Sequence, residues 1–207
     1  MSSPNSPGAE SSSGWRRRRS SARPRPSKTA LLMHAHLRTR GVLTTSRVTL
    51  AMPFGSPIPS PDASAAVLAA FAHRGISWHP GAAVLALDVD RRVVLLSDGD
   101  ELPYDLFLGV PVHVAPRVVV EAGLTVDGWI PVDSLSLRTI FPDVYAIGDV
   151  TSVGTLKAGV FSEGQGAVVA ASISARLRGD VDERSYDGRG VCYIEFGADL
   201  LAMVDVT

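Results

Sequence analysis

Apolar positions change their spacing several times along the chain, and each change predicts an element. Between Lys28 and Arg40, Leu31, Leu32, Ala35 and Leu37 fall on or near one side of a helix that Gly41 stops. Arg47–Met52 (RVTLAM) reads as a strand. Past the proline-rich loop Pro53–Pro61 a second helix is strongly signalled. Ser60 sits at its N-cap, Pro61 at its first position and Asp62 in its first turn, with Ala66, Val67, Ala70 and Phe71 in its body and Gly75 at its end. Ile76–His79 follows as another strand. Strand, helix and strand in this order form a crossover unit, which predicts a parallel pair.

The texture then shortens. Ala82–Asp88, Arg92–Ser97 and Tyr104–Val110 are predicted as short strands separated by the polar turns Asp88–Arg91 and Asp98–Glu101, an antiparallel meander. Val144–Ile147 predicts a short buried strand running into Gly148-Asp149. A long helix over about Ala158–Leu177 contains Gly164 and Gly166. Each costs about 1 kcal/mol relative to Ala in a helix interior, so close approach of another backbone or of a ligand is expected there. Gly190–Phe196 and Leu200–Val206 close the chain as a hairpin around Gly197-Ala198-Asp199, and no internal repeat occurs.

Composition adds limits to this α/β pattern. The 207 residues are 45% hydrophobic and 20% charged, enough for a sizeable core. No apolar run reaches the roughly 18 residues of a membrane-spanning helix. One cysteine excludes an internal disulfide framework and zinc sites of the Cys₄ or Cys₂His₂ kind. The net charge of -1 hides a division. Residues 1–29 carry seven Arg and Lys against Glu10 alone, a balance of +6, whereas residues 30–207 carry 13 basic and 20 acidic groups, a balance of -7. The basic tail, residues 1–27, is rich in Ser, Pro and Arg and is expected to be disordered. Arg16–Arg19 suits phosphate contacts, but nothing in the body supports a nucleic-acid partner, and the tail is assigned no function.

The chemistry concentrates around Gly148-Asp149. A glycine permits close backbone approach at a strand's carboxyl end, and an aspartate there presents an acceptor where α/β sheets bind ligands. Taken alone, such a pair reads first as an ordinary turn. It does not stand alone, because Thr139–Asp149 (TIFPDVYAIGD) resembles the second flavin-binding signature of the FAD/NAD(P)-dependent pyridine-nucleotide oxidoreductases. The resemblance implies that Asp149 hydrogen-bonds a ribityl hydroxyl of FAD, with Gly148 beside it and Thr139 part of the pattern. Further on, Lys157-Ala158-Gly159 opens the long helix, whose unpaired N–H groups and positive dipole end suit an anionic group. This opening resembles that of the sulfide:quinone oxidoreductase-like branch, which implies that Lys157, Ala158 and Gly159 border the isoalloxazine. Tyr104–Pro116 (YDLFLGVPVHVAP) is similar to a segment of the same branch, and His113 within it is a candidate near the redox centre, against the commoner structural role of a lone histidine. Cys192 lies in a segment resembling one that carries a redox cysteine in that branch. It is the weak catalytic candidate, since a second thiol is absent and a buried strand thiol is the plainer reading.

The resemblance covers about Lys28–Thr207 and departs from the family in the missing second cysteine, in the absent start of the second dinucleotide domain and, above all, in a missing glycine motif. The Gly-x-Gly-x-x-Gly fingerprint that seats the FAD pyrophosphate occurs nowhere among the nineteen glycines. The expectation is therefore a partial two-dinucleotide-binding-domain, Rossmann-like flavoprotein with an antiparallel β-meander and a C-terminal β-hairpin. Its parts are a partial NAD(P)-binding-like domain with the meander (28–110), the C-terminal half of an FAD-binding domain (111–179) and a truncated hairpin region (180–207). The implied function is two-electron transfer through FAD, with a quinone as acceptor or NAD(P)H as co-substrate. The alternative is a non-catalytic fragment that does not bind FAD alone. A cytoplasmic location with peripheral membrane contact, and a homo-oligomer, complete the expectations.

Overall fold

The computed structural model describes residues 24–181, 184–197 and 200–206. The tail expected over residues 1–23 and the turn residues Ala198 and Asp199 lie outside them. Helix α1 spans Pro24–Thr39, four residues further toward the N-terminus than the sequence pattern suggests. Residues 24–27, expected within the tail of residues 1–27, are therefore helical. Ser27 explains the difference: its side chain is fully buried, and its hydroxyl donates to the carbonyl of Pro57 at 3.0 Å. The buried face of α1 is Ser27, Ala30, Leu31 and His34, the three- and four-residue spacing of one helical stripe.

Strand β1 (Thr49–Met52), helix α2 (Pro61–Arg74) and strand β2 (Ser77–Pro80) form the expected parallel unit, with Thr49 opposite Ser77 and Met52 opposite Pro80. Ser60 is the N-cap of α2, but it works through its backbone. Its carbonyl accepts from Ser64 N–H at 2.8 Å, and its side chain makes no capping bond. Gly75 ends the helix in the left-handed conformation, φ +65°, where glycine carries no Cβ penalty. Val67 and Phe71 are buried as the pattern requires, whereas Ala66 faces solvent.

Strands β3 (Val84–Asp88), β4 (Val93–Leu96) and β5 (Glu101–Pro103) are the antiparallel meander. The third strand is not Tyr104–Val110. The turn after β4 is so tight that pairing restarts at Glu101 opposite Leu95, and the four residues of β4 are used up by Pro103. Beyond the bond from Tyr104 N–H to Arg92 O, 2.9 Å, the chain has no strand to continue against. Tyr104 and Phe107 instead pack on the small core of Ala82, Val94 and Leu96. His79 in β2 ties the two sheets together, its Nε2 lying 2.6 Å from Asp98 Oδ2, and this bond holds the Asp98 carboxyl below its ordinary range.

A short helix α3 (Arg117–Glu121), not foreseen in the sequence, precedes an irregular stretch. The expected strand Val144–Ile147 is also absent as a ladder. The segment runs extended but makes only the isolated bridge Arg138–Tyr145, and Val144 and Ile147 are 36% and 40% exposed. A strand needs a neighbour to complete its hydrogen bonds, and none of the described strands lies beside this one. Helix α4 (Gly159–Arg178) buries the stripe Phe161, Gln165, Val168, Ser172 and Ala175. Its two interior glycines admit side chains: a Cβ on Gly164 would meet the Tyr186 ring at 3.4 Å, and one on Gly166 would meet Ile147 Cδ1 at 3.5 Å. Among the protein groups it is side chains, not another backbone, that stand nearest to these two positions.

Strands β6 (Gly190–Gly197) and β7 (Leu200–Val206) form the C-terminal antiparallel hairpin. It packs on α1. Ile194 joins Ala30, Leu31, Ile58, Val67, Phe71 and Ile76 in the largest core cluster, and Lys28 Nζ reaches Glu195 Oε1 at 2.7 Å. Among the described residues no helix is long and apolar enough to cross a membrane.

Candidate functional site

The extended segment ends in a single 3₁₀ turn, Gly148–Val150. Gly148 has φ +78°, and a Cβ there would stand 3.2 Å from Ser162 Oγ, so both the backbone conformation and the space select glycine. The turn is bonded on every side. Gly148 N–H donates to Gln165 Oε1 at 2.6 Å, while Gly148 O accepts from Thr151 N–H at 3.1 Å and from its hydroxyl at 3.0 Å. Thr139 is used locally, its hydroxyl donating to Val144 O at 2.9 Å and closing the loop that leads into the segment.

Lys157 clips the turn from outside. Its ammonium donates to the backbone carbonyl of Asp149 and, at 3.1 Å, to that of Thr151. It also lies 3.7 Å from the centre of the Trp129 ring, a cation–π contact. Burial pushes the Lys157 amine below its ordinary value, and the nearby Asp149 charge pulls it back up. The Asp149 carboxylate accepts no hydrogen bond from the described residues. It stands exposed beside this ammonium as a free acceptor.

These groups line one open cleft of about 550 Å³, whose walls include Val112, His113, Trp129, Ile147, Asp149 and Lys157. Three sequence candidates, His113, Asp149 and Lys157, thus converge. Gly148 supports the turn beneath Asp149. Ala158 is the N-cap of α4, φ -147° and ψ 151°, and Gly159 is its first helical residue. Ala158 has no side-chain acceptor, so the first N–H groups of the helix keep their capacity for an outside acceptor. Cys192 does not join the cleft. It lies on β6 opposite Val204, half-buried, and burial raises its thiol pKa, the reverse of an activated thiolate.

The sequence pattern did not single out Trp129, Gln165 or Tyr186. Gln165 carried a readable signal, as a long polar residue between two glycines on the helical face shared with Phe161 and Val168. Trp129 carried none, since nothing in the sequence ties it to Lys157, 28 residues further on. The residues fit the ring end of a flavin, offering a carboxylate and an ammonium on one cleft, while Ala158 and Gly159 follow Lys157 in the chain but do not line it. The chain holds no glycine-rich cradle for the pyrophosphate end.

Comparison with known proteins agrees with this fold. The profile of the family described as "Pyridine nucleotide-disulphide oxidoreductase" matches residues 39–173. A dihydrolipoyl dehydrogenase of Chlamydia muridarum is 35% identical over 136 residues, which are 61% of this chain and 27% of that protein. The sulfide:quinone oxidoreductase of Aquifex aeolicus superimposes with a TM-score of 0.73 at 20% identity, covering 86% of this chain and 50% of that one. The ferredoxin reductase of the CYP199A2 system of Rhodopseudomonas palustris gives a TM-score of 0.59 at 28% identity, covering 84% and 44%. The chain therefore spans about a quarter of the curated relative and about half of these solved structures. It has the Rossmann-like α/β fold of such flavoproteins, and with more than half of its length matched by the family profile it belongs to the pyridine nucleotide-disulphide oxidoreductases.

Proposed function

We propose that this chain carries the flavin-ring side of an FAD-dependent oxidoreductase that moves two electrons between a small-molecule donor, NAD(P)H among them, and an acceptor such as a quinone. The observation that carries the reading is the convergence of the free Asp149 carboxylate and the bonded Lys157 ammonium on one cleft. Bound flavin supplies reversible two-electron acceptance, and the chain's own groups hold and bias it. Asp149 accepts a hydrogen bond from a ribityl hydroxyl. Lys157 and the N–H groups at Gly159 set positive charge where negative charge develops on reduction. Trp129 and Val112 supply apolar surface to the cleft wall. In this reading residues 28–110 form the pyridine-nucleotide side, 111–179 the flavin side and 180–207 a hairpin cover. The protein works in the cytoplasm, touching a membrane surface when the acceptor is a quinone.

A second reading is favoured by one observation, the lack of any Gly-x-Gly-x-x-Gly among the nineteen glycines. In it the chain holds flavin only together with a pyrophosphate cradle from other sequence, and alone is non-catalytic. Titrating the purified chain with FAD, followed by flavin fluorescence and by bleaching with dithionite, separates the two. On the first reading FAD binds, and Asp149→Ala weakens it about tenfold, the worth of one charge-assisted hydrogen bond of roughly 1.5 kcal/mol. A colourless chain that takes up no FAD sinks that reading and leaves the second.

A further inference from the structure

We propose that Gln165, which does not line the cleft, is the positioning residue that sets the Asp149 carboxylate and the Lys157 ammonium relative to each other. This rests on the reading of the cleft as a flavin site. Gln165 is 1% exposed on α4, and its side-chain amide has three partners among the described residues. Oε1 accepts from Gly148 N–H at 2.6 Å, and Nε2 donates to Thr155 Oγ1 and to Tyr186 Oη, each at 3.4 Å. The orientation of the amide is forced. Gly148 N–H can only donate, whereas both hydroxyls can donate or accept, so one way round satisfies all three.

From that amide the order passes outward through bonds alone. Gly148 N–H is held, which fixes a turn whose φ of +78° makes it free to swing otherwise. Gly148 O accepts from Thr151, and the carbonyls of Asp149 and Thr151 then form the seat of Lys157. The far end of the chain of bonds, Tyr186, is 5% exposed and packed with Leu137 and Val168, so the amide is anchored in a rigid cluster. Both site charges therefore take their positions from a neutral group behind them, which adds no charge of its own to the cleft.

Gln165→Leu, Gln165→Glu and Val168→Ala in the full chain test this. Leu removes the acceptor. Glu keeps an acceptor for Gly148 and receives both hydroxyls. Val168→Ala loosens the same cluster on the same helix without touching the amide. Two readouts are taken: FAD affinity, and the NMR position of the Lys157 ε-methylene, which is bonded to the ammonium 3.7 Å from the Trp129 ring centre and is expected to feel the ring current. Gln165→Leu is expected to weaken FAD about tenfold or more and to move the Lys157 signal toward its unshifted position. Gln165→Glu keeps the Lys157 signal near its wild-type position even though its added charge alters FAD affinity, and Val168→Ala lowers the melting temperature while leaving both readouts in place. The proposal is overturned if the Lys157 signal stays put in Gln165→Leu, or if Val168→Ala moves it equally. Should the wild-type chain take up no FAD, the flavin reading falls, and the Lys157 signal still decides the positioning role.

Discussion

His34 shows how one side chain can set a stability profile. It is 7% exposed on α1, and burial, together with the charges of Arg74 and Arg38, holds its imidazole below the ordinary value of 6.5. Above that value folded and unfolded chains both carry a neutral ring, and pH does nothing through it. As pH falls below 6.5, the unfolded chain takes up a proton before the folded one does, so stability falls until the folded ring is protonated as well. Denaturant unfolding on both sides of pH 6.5 should show this acid-side loss in the wild type and a flatter profile in His34→Gln. Equal slopes would refute the assignment. Single residues were unevenly legible in the sequence. Asp149 and Lys157 were found because each sits in a motif with local spacing. Trp129 was not, because its contact with Lys157 depends on how a loop of no regular structure turns back on the site.

Elements were more legible where local chemistry decides them and less so where partners do. Helix α2 carries its proline, its acidic first turn and its glycine stop within its own sequence, and it begins and ends where they place it. The hairpin of β6 and β7 likewise follows from its own alternation. Strands are different, since a pleated segment is a strand only if another lies beside it. Tyr104–Val110 and Val144–Ile147 have strand composition but lack such a neighbour among the described residues, and both run as irregular chain. The docking of the hairpin on α1 was invisible for the same reason. It is also tight: Gly197 has φ +80°, and a Cβ there would stand 2.7 Å from the Cβ of Ala35. Gly197→Ala must therefore strain the turn and push β6 off the helix, with an expected loss of about 1–3 kcal/mol in unfolding free energy. An alanine variant of unchanged stability would show that this contact is not made.

At the scale of the molecule, the described residues form three small sheets held together by helices and loops rather than one continuous sheet. The main core depends on both ends of the described chain, α1 from one and Ile194 from the other. Deleting residues 188–207 should consequently expose Ala30 and Leu31. Hydrogen exchange should then rise sharply along α1 while the meander, with its own core of Ala82, Val94 and Leu96, keeps its protection. Unchanged protection of α1 would mean that the hairpin is dispensable to it. The same clasp bears on how the protein is made. Lys28 and Glu195 are separated by 167 residues, so at ribosomal speeds α1 waits roughly 8–30 s for the strand that covers it. Its apolar stripe spends that interval uncovered, within reach of any chaperone that binds bare helices, until the arrival of β6 closes this part of the core.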